Sequence, residues 1–158
     1  MEQIVQLNAN AKLSEHFSLG ELTKSNSHPE IYNIPSHEAI ANMKRLCVWL
    51  EVLRERYNEK YGVGEEPIRI NSGYRSPQLN KAIHGVAGSN HMTGCAADIR
   101  VSGMEQALRY AVILLDYADE SKQEFDELLI ERSKKGTYWV HFAVRAEGNR
   151  RKVMFLQT

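Results

Sequence analysis

The segment Ser89-Asn90-His91-Met92-Thr93-Gly94-Cys95-Ala96-Ala97-Asp98, with Trp139-Val140-His141 further on, constrains this chain more than any other feature. Two imidazoles and one carboxylate are the ligand types of a catalytic zinc site, and three protein ligands leave a fourth position open. His91 and Asp98 cannot ligate from one continuous helix. Their separation would be roughly 10 Å of axial rise, far beyond metal–ligand bonds of about 2 Å. Gly94 permits a turn between them. After it, Cys95 to Val101 reads as a short strand with Ile99 and Val101 on one face and Asp98 on the other. The chain is therefore expected to hold His91 on a loop, reverse, and bring Asp98 in on a strand, where the small Ala96 and Ala97 leave room for an ion.

Around this segment the pattern is α+β, a small antiparallel sheet with flanking helices. Ser18-Leu19-Gly20-Glu21 is a capping box for a short helix. Residues 27–36, with two prolines, read as a loop, and Ser36 caps a long helix ending near Gly62. Its stripe of Ile40, Met43, Leu46, Cys47, Leu50, Leu53 and Tyr57 has helical spacing and should face the core. Pro67 to Asn71 reads as a strand with Ile68 and Ile70 inward, and Ser76-Pro77 opens another short helix. Ser102-Gly103-Met104-Glu105 is a second capping box, starting a helix to about Ala118. Phe125–Glu131, Thr137–Val144 and Lys152–Leu156 follow as strands.

The last hairpin fixes a register. Lys134-Lys135-Gly136 suits a three-residue loop with glycine in the left-handed position. That pairs Ser133 with Thr137, Glu131 with Trp139, and Leu129 with His141, and it puts these last four on one face. Glu131 is then diagonal to His141 across the strands, about 7–8 Å between backbone positions and within side-chain reach. Asp126, Leu128 and Ile130 fall on the opposite face.

Composition narrows the class. At 158 residues the chain reads as a single domain, 1–158, with 1–12 a loose N-terminal stretch. Twenty basic residues balance twenty acidic ones, which argues against nonspecific nucleic-acid binding or an electrostatic grip on membranes. There is no run of apolar residues long enough to span a bilayer. Met1–Asn8 lacks a basic start and an apolar core, so no signal peptide is expected. Cys47 and Cys95 form no framework and are expected as free thiols. His16 either lines the site or packs, and the sequence does not separate the two.

The motif Ser-x-His-x-x-Gly-x-Ala-x-Asp followed by Trp-Val-His resembles the signature of zinc D-Ala-D-Ala carboxypeptidases and related peptidoglycan peptidases of the M15 type. These belong to a group that also contains lysostaphin-type enzymes and the hedgehog signalling domain. Ile70-Asn71-Ser72-Gly73-Tyr74-Arg75-Ser76-Pro77, Leu79-Asn80 and Leu13-Ser14-Glu15-His16-Phe17 extend the resemblance to nearly the whole chain. The resemblance implies a hedgehog/DD-peptidase-like fold, one zinc ion held by His91, Asp98 and His141, and an active-site arginine at Arg75. Arg75 would stabilise an oxyanion or grip a substrate carboxylate, and Ser89, Tyr74 and Trp139 would contact substrate. Several relatives carry an acidic residue three positions before the last histidine, where this chain has Tyr138. Either Glu131 supplies the general base from the neighbouring strand, or there is no base. The implied function is hydrolysis of peptidoglycan stem peptides by a monomer acting in the bacterial cell wall, as a carboxypeptidase or endopeptidase, with an endolysin as one form. A non-catalytic zinc-containing binding module and a cytoplasmic D,D-dipeptidase are the alternatives.

Overall fold

The computed structural model describes residues 8–25, 27–62 and 64–158; the stretch read for a signal peptide therefore lies almost entirely outside the described residues. Of the N-terminal stretch expected to be loose, the described part is tied down. The Ala9 and Ala11 carbonyls accept from the N–H groups of Gly20 and Leu19 at 2.9 and 2.8 Å, and Lys12 bridges to Ser18. Those residues open helix α1 (Leu19–Thr23), whose Ser18–Glu21 capping box forms in both directions.

Helix α2 (His37–Tyr61) starts where Ser36 Oγ accepts from the Ala39 N–H at 3.1 Å and stops at Gly62. Met43, Leu46, Cys47, Leu50, Leu53 and Tyr57 are buried as the spacing predicts, and Trp49 joins them. Each such side chain contributes about 1.5–3 kcal/mol by leaving water. Helix α4 (Met104–Ser121) packs beside α2. The capping box expected at Ser102–Glu105 does not form. Gly103 takes the cap position, the Ser102 N–H donates to Gln106 Oε1 at 2.7 Å, and Glu105 pairs instead with Arg109 at 2.6 Å. A glutamine one residue on competes for the same backbone donor, which the local pattern does not reveal. Between the long helices in chain order comes the short helix α3 (Pro77–Ala82), capped by Ser76.

The strands are β1 (Ile70–Ser72), β2 (Ala96–Arg100), β3 (Glu127–Arg132), β4 (Tyr138–Ala143) and β5 (Lys152–Gln157), in the order β1-β2-β4-β3-β5. All neighbours run antiparallel except β3 and β5, which are parallel. The sheet is therefore mixed, not purely antiparallel as expected. The cause is topological. Strand β4 is already flanked by β2 and β3, so the chain leaving it can join only at an outer edge. Reversing direction relative to β4 makes β5 run with β3. The hairpin register is the one expected: the Ser133 N–H donates to the Thr137 carbonyl at 2.8 Å, Gly136 has φ +87°, and Glu131 pairs with Trp139 and Leu129 with His141. On the other side of β4, His141 pairs with Asp98.

One face of this sheet is closed by α2 and α4. Trp49 lies 5.3 Å from Phe142 and 4.8 Å from Tyr117, ring centroid to ring centroid, in tilted and edge-on contacts that suit aromatic quadrupoles. Cys47 and Cys95 are both free and buried. His16 is exposed: its Nδ1 lies 2.7 Å from Glu51 Oε1, and Ser14 Oγ donates to the same carboxylate. No helix among the described residues is long and apolar enough to cross a membrane.

Candidate metal centre

The turn that carries His91 is specified locally. Ser89 caps a single 3-10 turn, Asn90–Thr93, by accepting from the His91 N–H at 3.1 Å. Gly94 ends it with φ +77°, a conformation that glycine adopts without strain. A Cβ at Gly94 would lie 2.5 Å from the Ala39 carbonyl oxygen, so any other residue would push the turn off α2. The Arg75 N–H donates to the His91 carbonyl at 2.9 Å, and Asn42 Nδ2 to that of Thr93 at 2.8 Å.

His91 is buried, and its Nδ1 lies 2.7 Å from the Gly73 carbonyl oxygen. A carbonyl only accepts, so Nδ1 carries the proton and Nε2 presents a lone pair. That Nε2 is 3.3 Å from Asp98 Oδ1, and His141 Nδ1 is 3.1 Å from the same oxygen. The three donor atoms lie within 4.8 Å of one another, and these residues form the one such group of three among the described residues. Bonds of 2.0–2.2 Å around a tetrahedral ion put donor atoms about 3.3 Å apart. The observed spacings, and the chemistry of two imidazoles and a carboxylate, therefore fit zinc.

The far sides of these ligands are occupied. Arg75 Nη2 lies 3.2 Å from Asp98 Oδ2, leaving Oδ1 to converge with the imidazoles. Arg75 also donates from Nε to Ser72 Oγ at 3.0 Å. His141 Nε2 lies 3.1 Å from Glu127 Oε1. Burial alone would raise the Asp98 carboxyl, but His91 and His141 hold it well below the usual carboxylate range. Burial opposes charge on His141, and the Asp98 and Glu127 carboxylates overcome it, raising the imidazole to about 9. Such a site holds a proton where a metal would bind, so metal capture releases protons.

The centre lies in a groove of about 530 Å³ lined also by Glu131, Trp139, Leu129 and Ser89. Glu131 is half-buried and accepts from Trp139 Nε1 at 2.8 Å through Oε2. Burial, and then the nearby Asp98 charge, raise its carboxyl above the ordinary glutamate value. The structure thus brings together His91, Asp98, His141, Arg75, Glu131, Trp139 and Ser89. Tyr74 is not part of the groove. It is only 7% exposed and sits in the hydrophobic core, so the expected substrate contact is corrected: its side chain fills the core rather than facing a ligand. Tyr138 lines a separate cleft of about 770 Å³ that contains none of the three ligand residues, because strand alternation turns it away from His141.

Three residues escape a motif-based reading. Glu127 shares the groove face with Leu129 and Glu131, so strand parity could have found it. Asn90 Nδ2 donates to Glu127 Oε1 at 2.6 Å and to Asp126 Oδ2 at 2.7 Å. Asp126 does not simply face away from the site. It is fully buried behind the groove-lining Asn90 and takes Arg150 Nε at 3.0 Å and Nη2 at 2.9 Å, with Arg145 Nε at 3.2 Å. Only long-range folding brings those arginines to it.

Comparison with known proteins agrees with this geometry. The zinc D-Ala-D-Ala carboxypeptidase of Streptomyces albus G is 30% identical over 97 residues, 61% of this chain and 36% of that protein. The chain thus matches little more than a third of that relative's length. The relative's name carries zinc, the metal the donor set fits. The Peptidase M15 family matches residues 15–138, a stretch that includes His91 and Asp98 and stops short of His141. With most of its length matched, this chain belongs to the Peptidase M15 family, a family of zinc metallopeptidases.

Proposed function

We propose that the chain is a zinc peptidase that hydrolyses peptidoglycan stem peptides at D-alanine, in the bacterial cell wall. The observation that carries this reading is the convergence of His91 Nε2, Asp98 Oδ1 and His141 Nδ1 in a groove that also holds a half-buried carboxylate, Glu131. When bound, zinc supplies Lewis-acid polarisation of a carbonyl and an acidified water. Glu131 is the general base, taking a proton from the attacking water and returning it to the leaving amine. Burial and the Asp98 charge raise its carboxyl pKa, the direction that strengthens a base. Trp139 Nε1 fixes one carboxylate oxygen of Glu131, a residue that lines the groove. Arg75 holds Asp98 and places a guanidinium beside the reacting carbonyl, where it offsets developing negative charge.

The test is mass spectrometry of purified muropeptides incubated with zinc-loaded protein. Loss of a terminal D-alanine marks a carboxypeptidase and a split cross-link an endopeptidase. Glu131→Gln should keep zinc and fold while losing about 10²–10⁴-fold in turnover. Absence of any muropeptide cleavage by the unmodified, zinc-loaded protein overturns the reading and leaves the binding module and the D,D-dipeptidase, which hydrolysis of free D-Ala-D-Ala separates.

A further inference from the structure

We propose that Glu127 is a positioning residue for the metal centre. Its carboxylate orients the His141 ring so that Nδ1 faces Asp98 and His91, and Asn90 locks that carboxylate to the turn that carries His91. The proposal rests on His141 being a metal ligand. A neutral imidazole has one N–H and one lone pair. If Nδ1 is to present its lone pair beside Asp98 Oδ1, Nε2 must carry the proton and needs an acceptor. Glu127 Oε1, 3.1 Å away, is that acceptor. His91 has the same arrangement with a different partner, its Nδ1 bound to the Gly73 carbonyl at 2.7 Å. One histidine is thus oriented by a neutral carbonyl and the other by a carboxylate, which makes the ring a more basic ligand.

Glu127 is itself fixed. Its Oε1 also accepts from Asn90 Nδ2 at 2.6 Å, and its Oε2 lies 3.6 Å from Arg150 Nη2. The Asn90 amide donates again to Asp126 Oδ2, and its oxygen accepts from Arg145 Nε at 2.9 Å. Asn90 and Asp126 are both buried. Asn90 directly precedes His91, so one hydrogen-bonded network couples the backbone position of the first histidine to the ring orientation of the last.

Two glutamates therefore flank His141 along β3, each two residues from its partner Leu129. They do different work. Glu127 is on the Nε2 side of the ring, away from Asp98, with one oxygen already taken by two donors. Glu131 lines the groove and takes a side-chain donor, Trp139 Nε1, on Oε2. Glu127 acts through His141 and touches no reacting atom.

The test measures zinc affinity by competition with a chromophoric chelator, the visible spectrum of the cobalt-substituted protein, and the thermal midpoint of the metal-free protein. Glu127→Ala is expected to lose about 10–100-fold in zinc affinity and to change the cobalt bands, with a smaller fall in the metal-free midpoint because Asn90 and the protonated His141 lose an acceptor. Glu127→Met, similar in length but without an acceptor, should lose as much and decides the question if the alanine variant fails to fold. Glu127→Gln, whose amide oxygen can still accept from Nε2–H, should recover part of the loss. The proposal is overturned if the acceptor-free variants hold zinc within twofold of the unmodified protein. It is also overturned if their weaker binding comes with an equally weakened metal-free fold and unchanged cobalt bands. His141→Ala is the control: retention of stoichiometric zinc there refutes the ligand assignment itself, independently of any muropeptide result.

Discussion

Strand β4 presents two environments that alternate residue by residue. Val140 and Phe142 point toward α2 and α4 and are fully buried among aliphatic and aromatic side chains. Trp139 and His141 point the other way, into the groove, where each polar atom meets a specific partner. The helix-covered face needs volume and shape, and neighbouring side chains can partly adjust to a change there. The groove face needs particular atoms at particular separations, and no repacking replaces a missing lone pair. Damage to the first should appear as lost stability, and damage to the second as lost metal and chemistry on an intact fold.

The sharpest break of that division is His91→Ala. It should abolish stoichiometric zinc and turnover while circular dichroism stays native. Elemental analysis showing one zinc per chain in that variant would put the site elsewhere. Phe142→Ala is the mirror case on the covered face. It should cost about 3–5 kcal/mol in denaturant unfolding, with the folded fraction still binding zinc in a one-to-one ratio. Lost zinc in fully folded Phe142→Ala would show that the two faces are not separable.

Asp126→Asn tests the border between the faces. Burial pushes the Asp126 carboxyl up, but hydrogen bonds from Arg150 and Asn90 and the charge of Arg145 outweigh it and bring it to about 2. A depressed carboxyl pKa stabilises the fold above its unfolded value near 4, and that contribution is lost as pH falls toward 2. The variant should be less stable at neutral pH by about 2 kcal/mol, and its stability should vary less between pH 4 and 2. An unchanged acid-unfolding curve would mean that the arginine pairs contribute nothing net. Tyr138→Phe should have the smallest effect, within about 0.5 kcal/mol. The ring contact with Arg132 at 5.7 Å survives the change, and the residue lies outside the groove. A large loss of turnover in Tyr138→Phe would place that side chain in the chemistry.

Much of the site was legible because it is written in short-range terms. Gly94 between His91 and Asp98 announced a turn, and Lys134-Lys135-Gly136 set a register that the backbone hydrogen bonds reproduce. The rest depends on distance in sequence. Tyr74 sits in a motif beside Arg75, yet adjacent residues point in different directions, and burial took its ring into the core. Strand parity alone puts Asp126 on the face opposite Glu131, and its partners, Arg145 and Arg150, arrive only after β4 has crossed the sheet. The parallel strand β5 followed from which edge of the sheet was still free, and a linear pattern does not contain that.

The close packing of Gly94 against the first turn of α2 has a consequence for how the ion arrives. The His91 turn is clamped by the glycine contact, by the Arg75 N–H and by Asn42. The entropy of ordering this loop is therefore lost when the chain folds, not when the metal binds. Zinc enters a seat already shaped, as a ligand docks into a rigid receptor. Chelation should then strip the ion without loosening the turn, and amide hydrogen exchange at Asn90–Gly94 should stay slow in the metal-free protein.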